Sequence, residues 1–410
     1  ASLAALLNSP GALDPSKHPE RLLARRDRVL SRMLELGWIH EDERKQALAE
    51  ALSPAPLLKP SDSLPFALQA VQAELSQFGI ADPDLVFTSL QSVSQLRTQN
   101  SLQKQIENLE KSEPRLRRNK EQGKSLEGLA LTVDVASGQI EALVGGRHFR
   151  QSQFNRALFA RRQIGSLMKP FVFLQALLAG KKASDLVDDS PFTHQWDRQS
   201  WSPVNYGGKY FGSVPLTFAL ANSLNCATAR LSLDLGVEGL VQLMRQLGVT
   251  SALQPVPSLS LGSFEISALE VAQTYLTLAR FGEFQQISSV RSWVDREGEK
   301  HLASRPSRRI LPAPIVADLV AMMQETLNSG TAQSVRALGW KEPGAGKTGT
   351  TSDFKDSWFA GFSAKKLVLV WLGYDDNTPT GLTGGKGAVP VWTEIQKGFP
   401  PPGDFSWPYR

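Results

Sequence analysis

Apolar residues in the first part of the chain, residues 1–56, recur with the period of an α-helix. Between residues 19 and 52 they lie about 3.6 positions apart, which places them on one helix face. These residues are Leu22, Leu23, Val29, Leu30, Met33, Leu34 and Leu36. Gly37 predicts the end of one helix, and residues 39–43 predict the start of a second. Residues 1–56 are therefore predicted to be helical.

Residues 57–125 show a weaker pattern. Prolines interrupt the chain where this region begins and predict a domain boundary: Pro54, Pro56, Pro60 and Pro65. A short β-like run at 86–88 precedes a polar helix rich in Gln and Asn that ends near Lys111, and residues 112–124 are charged. We expect a linker region with some structure and a mobile, charged end.

The pattern changes at Leu126, where apolar β-runs begin. Residues 129–135 and 139–144 flank Ala136-Ser137-Gly138, which predicts a hairpin over 127–146. Helical periodicity dominates from 167 to 279, and β-runs return within 345–373. Strands at both ends and helices between them predict one sheet assembled from distant parts of the chain. Residues 126–392 would form this domain, and the proline-rich residues 393–410 a loosely ordered tail.

The composition is that of a globular protein. The chain has 410 residues, of which 41% are apolar and 21% charged, so collagen-like, coiled-coil and wholly disordered structures are excluded. The net charge of +5 is spread along the chain without a continuous basic stripe, so nucleic acid is not a predicted partner. Cys226 is the only cysteine, which rules out an internal disulfide and a cysteine-based zinc site. The sequence calls for no metal or cofactor.

Neither a transmembrane segment nor a signal peptide is visible. The longest central uncharged run, residues 210–229, contains Pro215, Asn222 and Asn225 and is too polar for lipid. The first residues, Ala-Ser-Leu, lack a basic start and a cleavage site. We expect a fragment from which a targeting segment has been removed.

The first motif that can carry chemistry is Ser166-Leu167-Met168-Lys169. On a helix, residues three apart share a face, so the hydroxyl and the amine can meet. Pro170 lacks the N–H that would bond the carbonyl of residue 166, so Ser166 is expected in or near the first helical turn. There, free N–H groups and the helix dipole favour developing negative charge. A serine needs a base to become a nucleophile, and a lysine with a lowered pKa can provide one.

Two further motifs follow at fixed distances. Ser223-Leu224-Asn225 lies 57 residues after Ser166, and Lys347-Thr348-Gly349 lies 124 residues after Ser223. The glycines before Lys347 do not form a phosphate-binding loop, because Lys341 occupies the position where that motif requires glycine. Each motif alone is weak, but the order and spacing of all three are the signature of penicillin-interacting serine acyltransferases.

The chain resembles the class A penicillin-binding proteins, in particular the 1b type. The resemblance is dense over residues 126–390 and thinner before them. Besides the three motifs, it rests on Asn155-Arg156-Ala157, residues 161–165, Asp188-Asp189-Ser190-Pro191, Trp201-Ser202-Pro203, Asn205-Tyr206, Gly330-Thr331-Ala332, Asp356 and residues 358–361. Residues 1–52 resemble the last helices of the family's glycosyltransferase domain.

The resemblance implies a fold and a domain organisation. We expect an α/β transpeptidase domain with a five-stranded antiparallel sheet flanked by helices on both faces, and a site between the sheet edge and the central helices. A small helical remnant of the glycosyltransferase domain at 1–56 and the linker at 57–125 would precede it. The catalytic part of the glycosyltransferase and a membrane anchor would lie upstream, so this fragment is not expected to polymerise glycan strands.

The resemblance also implies a DD-transpeptidase that cross-links D-Ala–D-Ala stem peptides of peptidoglycan and is a target of β-lactam antibiotics. Ser166 would attack the peptide carbonyl, with Lys169 as its general base. Ser223 would relay a proton to the leaving amine under the influence of Lys347. Asn225 would hold Lys169 and the substrate amide.

Further roles implied by the resemblance concern binding. The backbone N–H groups of Ser166 and Thr350 would form the oxyanion hole. The hydroxyls of Thr348 and Thr350, separated by Gly349, would bind the terminal carboxylate of the substrate. The full-length protein would lie in the bacterial inner membrane and face the periplasm, with cell-wall synthesis and lipoprotein regulators as possible partners.

Several neighbouring residues are expected to have no catalytic role. Ile164 stands where many relatives have proline, and Cys226, which follows Asn225, is expected to be a small buried hydrophobe. His148 and His194 match no catalytic position. Five aromatic residues either line the cleft or pack a loop: Trp196, Trp201, Tyr206, Tyr210 and Phe211.

Three other functions fit the same motifs. A β-lactamase would hydrolyse its acyl-enzyme quickly, and a DD-carboxypeptidase would transfer the acyl group to water. A non-catalytic β-lactam sensor or scaffold would need none of the chemistry, and the complete motif set argues against it. The fate of a penicillin adduct distinguishes these functions.

Overall fold

The computed structural model describes residues 1–6, 12–13, 15, 18–51, 64–196 and 198–400. The chain divides into two compact units, residues 1–61 and 62–410. The first unit consists of helices α1 (Ser2–Leu6), α2 (Pro19–Glu35) and α3 (Glu41–Ala49). Gly37 follows α2 with a φ of +69°, as a helix stop requires. The buried Arg26 of α2 donates hydrogen bonds to the carbonyls of Leu48 and Glu50, which ties α2 to the end of α3.

The second unit contains the remaining elements. Its helices are α4 (Leu64–Gln77), α5 (Ser92–Ser112), α6 (Pro114–Glu121), α7 (Arg156–Phe159), α8 (Lys169–Leu178), α9 (Leu216–Ala221), α10 (Asn225–Leu235), α11 (Val237–Gln246), α12 (Ala268–Ala279), α13 (Ala313–Asn328), α14 (Ser334–Ala337) and α15 (Ala388–Lys397). Its strands are β1 (Leu85–Thr88), β2 (Glu127–Asp134), β3 (Ile140–Val144), β4 (Arg161–Gln163), β5 (Leu186–Asp188), β6 (His194–Trp196), β7 (Gln199–Trp201), β8 (Ser213–Pro215), β9 (Glu265–Ser267), β10 (Glu283–Phe284), β11 (Val290–Val294), β12 (Lys300–Leu302), β13 (Arg308–Arg309), β14 (Ala345–Thr350), β15 (Asp356–Phe362) and β16 (Lys366–Gly373). Within the described ranges, no helix is both long and apolar enough to cross a bilayer.

The central sheet has five strands in the order β14-β15-β16-β2-β3, and all its neighbours are antiparallel. This confirms the predicted fold and the predicted origin of the strands, a hairpin near 127–146 and strands within 345–373. The strand β16 pairs with β2 in a register that joins Leu369 to Leu131. The two parts of the chain are thus joined in the middle of the sheet.

Both faces of the sheet are buried, which explains the continuous apolar runs. Along β16, Leu367, Leu369 and Trp371 pack in a core with helices α8, α10, α12 and α13. The intervening residues, Val368, Val370 and Leu372, pack in a second core with α5 and α15. Since successive side chains of a strand point to opposite faces, a strand covered on both sides has no polar alternation.

Residues 64–125, predicted to be part of a linker, form helices and a strand within the second unit. Leu102, Ile106 and Leu109 of α5 are buried in the same core as the sheet. The segment 112–124, expected to be mobile, contains helix α6, and its Leu116 is completely buried. These helices are mostly polar, and only a narrow apolar face packs against the sheet. The sequence pattern was therefore too weak to predict that they pack there.

The end of the domain also differs from its predicted boundary at residue 392. Helix α15 continues to Lys397, and its Thr393, Ile395 and Gln396 are buried. The tail that was predicted from residue 393 therefore begins inside a packed helix. Residues 401–410 and the boundary prolines at 54, 56 and 60 lie outside the described residues.

Candidate functional site

A cleft with a volume of about 600 Å³ lies beside β14, the edge strand of the central sheet. Its walls come from the turn before α8, the segment between β7 and α10, residues 258–263 before β9, Thr331 after α13, and β14 with the loops that follow β14 and β16. The predicted site residues that line it are Ser166, Ser223, Asn225, Thr348 and Thr350.

Ser166 lies in a 3-10 turn, Gly165–Met168, that leads directly into α8. Gly165 has a φ of +52°, and a Cβ atom there would lie 2.4 Å from the carbonyl oxygen of Thr350. Only glycine therefore allows this turn to approach β14 so closely. The N–H of Gly165 donates to the carbonyl of Gly262 (3.1 Å), which fixes the turn from the other side.

Lys169, the first residue of α8, is completely buried below the cleft. Its Nζ donates hydrogen bonds to the carbonyl oxygen of Ser223 (2.5 Å) and to Oδ1 of Asn225 (2.6 Å). Burial, with a further contribution from the positive charge of Lys347, lowers the pKa of Lys169 well below its usual range. At neutral pH, a much larger fraction of this amine is therefore uncharged than in an exposed lysine.

Ser223 and Asn225 lie at the junction of α9 and α10. Ser223 has a φ of +58°, a left-handed conformation that directs its carbonyl oxygen to Lys169. Asn225 begins α10, and its Nδ2 donates to the carbonyl of Val204 (2.7 Å). This bond leaves Oδ1 as the acceptor for Lys169, so the orientation of the Asn225 amide is fixed by its partners.

The third motif lies on β14. Lys347 is completely buried, and its Nζ donates to the carbonyl of Thr348 (3.2 Å). The hydroxyl of Thr348 forms a hydrogen bond with that of Thr331 (2.6 Å). The hydroxyl oxygen of Thr350 accepts from the N–H of Gly384 (3.0 Å), so its own proton remains to be donated.

The structure therefore brings together all eight residues that the sequence predicted for the site. Lys169 and Lys347 lie buried beside those that line the cleft, and Gly349 lies between its two threonines. A Cβ atom on Gly349 would lie 2.8 Å from the carbonyl oxygen of Ile164, so this glycine lets the strand approach the turn that bears Ser166.

Sequence reasoning assigned no role to several other residues of the cleft. Thr331, Thr383 and Lys386 line it, the last two from the loop that follows β16. Thr331 belongs to a motif that carried the family resemblance, which was the available signal. No sequence motif marks Thr383 and Lys386, because only the fold of the loop after β16 brings them to the cleft.

The structure also shows where the aromatic stretch and Cys226 lie. Trp201 and Tyr206 line the cleft, whereas Phe211 packs against Phe218 with ring centroids 5.5 Å apart. Some aromatic residues of this stretch therefore line the cleft and others pack within the loop, so both alternatives left open by the sequence occur. Cys226 is buried, donates to the carbonyl of Pro203, and burial raises its thiol pKa to about 11.

Replacement of Lys347 by methionine should stabilise the protein while removing a positive charge from the site. Burial lowers the pKa of Lys347 to about 7, whereas the unfolded chain has a value of about 10.4. Between these values the unfolded chain binds more protons, so the free energy of unfolding of the native protein rises with pH. At pH 7 we expect Lys347→Met to raise it by about 2–4 kcal/mol.

Urea unfolding at pH 7 and pH 10 tests this prediction. The rise in the free energy of unfolding should be largest at pH 7. At pH 10 the lysine is neutral in the folded chain and close to its pKa in the unfolded chain, so the rise should fall below about 1 kcal/mol. Lys341→Met, which changes an exposed lysine, should alter the free energy of unfolding by less than about 0.5 kcal/mol. An equal gain at both pH values would show that the charge of Lys347 is not the cause.

The sheet, the helices that cover it and the cleft at its edge strand are those of the penicillin-interacting acyltransferases. The chain belongs to the penicillin-binding protein transpeptidase family, since the family model "Penicillin binding protein transpeptidase domain" matches residues 128–396.

Curated relatives extend the similarity over almost the whole chain. Penicillin-binding protein 1B of Vibrio cholerae is 37% identical over 407 residues, which cover 97% of this chain and 51% of the relative. Penicillin-binding protein 1B of Escherichia coli is 33% identical, with 96% of this chain and 47% of the relative covered. The chain thus spans about half the length of these relatives.

Solved structures share the fold. Penicillin-binding protein 1A from Haemophilus influenzae has a TM-score of 0.74 at 21% identity and covers 99% of this chain, with 81% of its own chain matched. The PonA1 protein from Mycobacterium tuberculosis, solved in complex with penicillin V, has a TM-score of 0.68 at 22% identity, with 82% of this chain and 93% of its own covered.

Proposed function

We propose that the chain is a serine DD-transpeptidase that cross-links peptidoglycan stem peptides. Oγ of Ser166 attacks the carbonyl of the D-Ala–D-Ala bond, the C–N bond breaks, and D-Ala leaves with a proton. The amine of a second stem peptide then attacks the ester, and Ser166 regains its proton. The cross-link replaces the amide bond that was broken, so no cofactor is consumed.

The hydrogen bonding of Lys169 is the observation that carries this proposal. A neutral lysine amine has two N–H donors and one lone pair. Its two observed acceptors, the Ser223 carbonyl and Asn225 Oδ1, use both donors and leave the lone pair for a proton. Ser166 lies three residues before Lys169, at the start of the same helical segment. Lys169 is therefore the proposed general base.

The remaining roles follow from position. Ser223 lines the cleft and would pass a proton to the leaving amine, with Lys347 tuning it electrostatically. The N–H groups at a helix start have no intrahelical acceptor, so that of Ser166 would form the oxyanion hole together with the N–H of Thr350. The hydroxyls of Thr348 and Thr350, with the charge of Lys347, would bind the terminal carboxylate of the donor peptide.

The partners and location of the whole protein are proposed from its family. β-Lactams would acylate Ser166 as analogues of the donor peptide and would inhibit the enzyme covalently. The longer protein would be attached to the inner membrane by a segment outside this sequence and would work in the periplasm. Cell-wall synthesis and lipoprotein regulators are proposed partners.

Intact-protein mass after brief exposure to a penicillin, followed over hours, tests the proposed function. We expect the mass to rise by that of one penicillin and the adduct to persist. A transpeptidase does not position and activate a water molecule that would hydrolyse the acyl-enzyme efficiently. An adduct that disappears within seconds as the drug is consumed would indicate a β-lactamase. A chain that never forms the adduct would contradict the proposed enzyme. Release of D-Ala from a stem peptide without formation of a cross-link would indicate a carboxypeptidase.

A further inference from the structure

A buried carboxylate lies behind the second motif without touching the cleft. Asp189 directly follows β5 and is completely buried. Its Oδ2 accepts from Nδ2 of Asn205 (2.7 Å) and from the N–H of Phe211 (3.2 Å), and its Oδ1 accepts from the N–H of Ala227 (3.2 Å). Both oxygens therefore face N–H donors, which is the arrangement that compensates a buried negative charge.

Asn205 connects this carboxylate to the start of helix α10. Its Nδ2 donates to Asp189 and to the carbonyl of Lys209 (2.9 Å), which fixes the orientation of the amide. Its Oδ1 then accepts from the N–H groups of Asn225 (2.7 Å) and Cys226 (3.1 Å). These N–H groups are the first two of the helix and have no acceptor within it.

The contacts form a continuous chain from Asp189 through Asn205 and Asn225 to the amine of Lys169. Asn225 is held at its backbone by Asn205, and its side-chain Oδ1 accepts from Lys169. A shift of the α10 start would therefore move one of the two acceptors that orient this amine. Displacement by about 1 Å can reduce a catalysed rate on the order of 100-fold.

We propose that Asp189 is a positioning residue for acyl transfer, which holds Asn225 and through it Lys169 in the reactive geometry. The proposal rests on the proposed function of Ser166 and Lys169. Asp189 acts through Asn205 and does not contact the substrate. It also ties the loop that bears Tyr206 to α10, since it accepts from the N–H of Phe211 and from the N–H of Ala227 in α10.

The negative charge of Asp189 gives the proposal a signature that a packing role would lack. Three ionisable groups lie around Lys169. Lys347 of β14 lowers the pKa of Lys169, whereas Asp189 raises it against the larger effect of burial. The thiol of Cys226 in α10 has a pKa of about 11 and carries no charge below that pH. Removal of the Asp189 charge should lower the pKa of Lys169 further. The neutral amine would then persist to lower pH, so the acidic limb of the acylation rate should move to lower pH.

The test compares acylation by a fluorescent penicillin from pH 5.5 to 9.5 in the native chain and in variants with an unchanged circular dichroism spectrum. Asp189→Asn preserves the shape but places an N–H₂ group opposite an N–H donor in either orientation. We expect its acylation rate at pH 7.5 to fall by about 20- to 100-fold. The acidic limb of its pH profile should move to lower pH.

The neighbouring carboxylate supplies the matched control. Asp188 lies on β5, is exposed, and contacts the N–H of Ser190 (2.8 Å) and the guanidinium of Arg230 (3.2 Å). Asp188→Asn should retain the native rate within twofold. An equal loss in both variants would overturn the proposal, because it would show a general effect of this segment.

Two further cases are an Asp189→Asn variant that does not fold and a native chain that is not acylated. If Asp189→Asn does not fold, Asn205→Ala tests the same connection, since it keeps the carboxylate with its bonds from Phe211 and Ala227. It should lose at least tenfold in rate, and a native rate would overturn the proposal. A native chain that is never acylated would contradict the proposed function itself, whereas native rates in Asp189→Asn would contradict only the role of Asp189.

Discussion

Ser166→Ala should abolish acylation of the chain by penicillin, with a loss on the order of 10⁴-fold or more in rate. The alcohol is the only group proposed to form the covalent bond, and the remaining cleft can still bind the drug but cannot become acylated. Intact-protein mass spectrometry should show no adduct after hours, and peptide mapping of the native protein should place the adduct on Ser166.

Other serines provide controls for this prediction. Ser76→Ala, on the exposed surface of α4, should react at the native rate. Ser223→Ala should still be acylated on Ser166, but more slowly, because a proton relay contributes to the rate without forming the bond. An adduct of undiminished yield in Ser166→Ala would disprove the assignment of the nucleophile.

Lys169→Met should reduce the acylation rate by about 10³-fold while leaving the protein folded. Methionine is similar in volume to the lysine stem and suits a site that is completely buried, but it offers no lone pair for the Ser166 proton. General bases of this kind contribute about 10²–10⁴-fold. The measurement is the second-order acylation rate constant from stopped-flow fluorescence, together with the thermal unfolding midpoint.

Lys181→Met serves as the comparison, because Lys181 is exposed just beyond the other end of α8. Its acylation rate should equal that of the native protein. If Lys169→Met reacts within tenfold of the native rate, another group must accept the proton, and the role of the buried amine would then be electrostatic.

Together the two predictions separate bond formation from activation. In the structure, the serine and the lysine are coupled through the start of one helix, and the second motif reaches the lysine from α10. Loss of the nucleophile removes the reaction path, whereas loss of the base leaves a slow path through water. Unequal effects, larger for Ser166 than for Lys169, are therefore expected.

Much of the fold could be predicted from local sequence. The runs 129–135 and 367–372 predicted strands, and these are paired in the middle of the sheet. The sequence did not show that α5 covers one face of this sheet. Its buried face includes polar residues such as Gln95, whose amide bonds to the backbone of Leu143, so apolar periodicity was weak there.

The motif residues of the candidate site could be predicted from the sequence, but the residues that position them could not. The spacing of Ser166, Ser223 and Lys347 indicated the three motifs, and the structure places them at one cleft. Asp189 and Asn205 were visible only as parts of family-like motifs. Their hydrogen bonds to the start of α10 join residues more than a dozen positions apart, which no local pattern reports.

The sequence by itself determined which chemical groups are present, their order along the chain and the apolar runs that form the central strands. Only the tertiary structure decided their protonation and orientation. The pKa of Lys169 is low because burial and Lys347, which is 178 positions later, act on the same amine. Burial and long-range charge depend on what the folded chain places around a group, so the chemistry of this site arises from its packing.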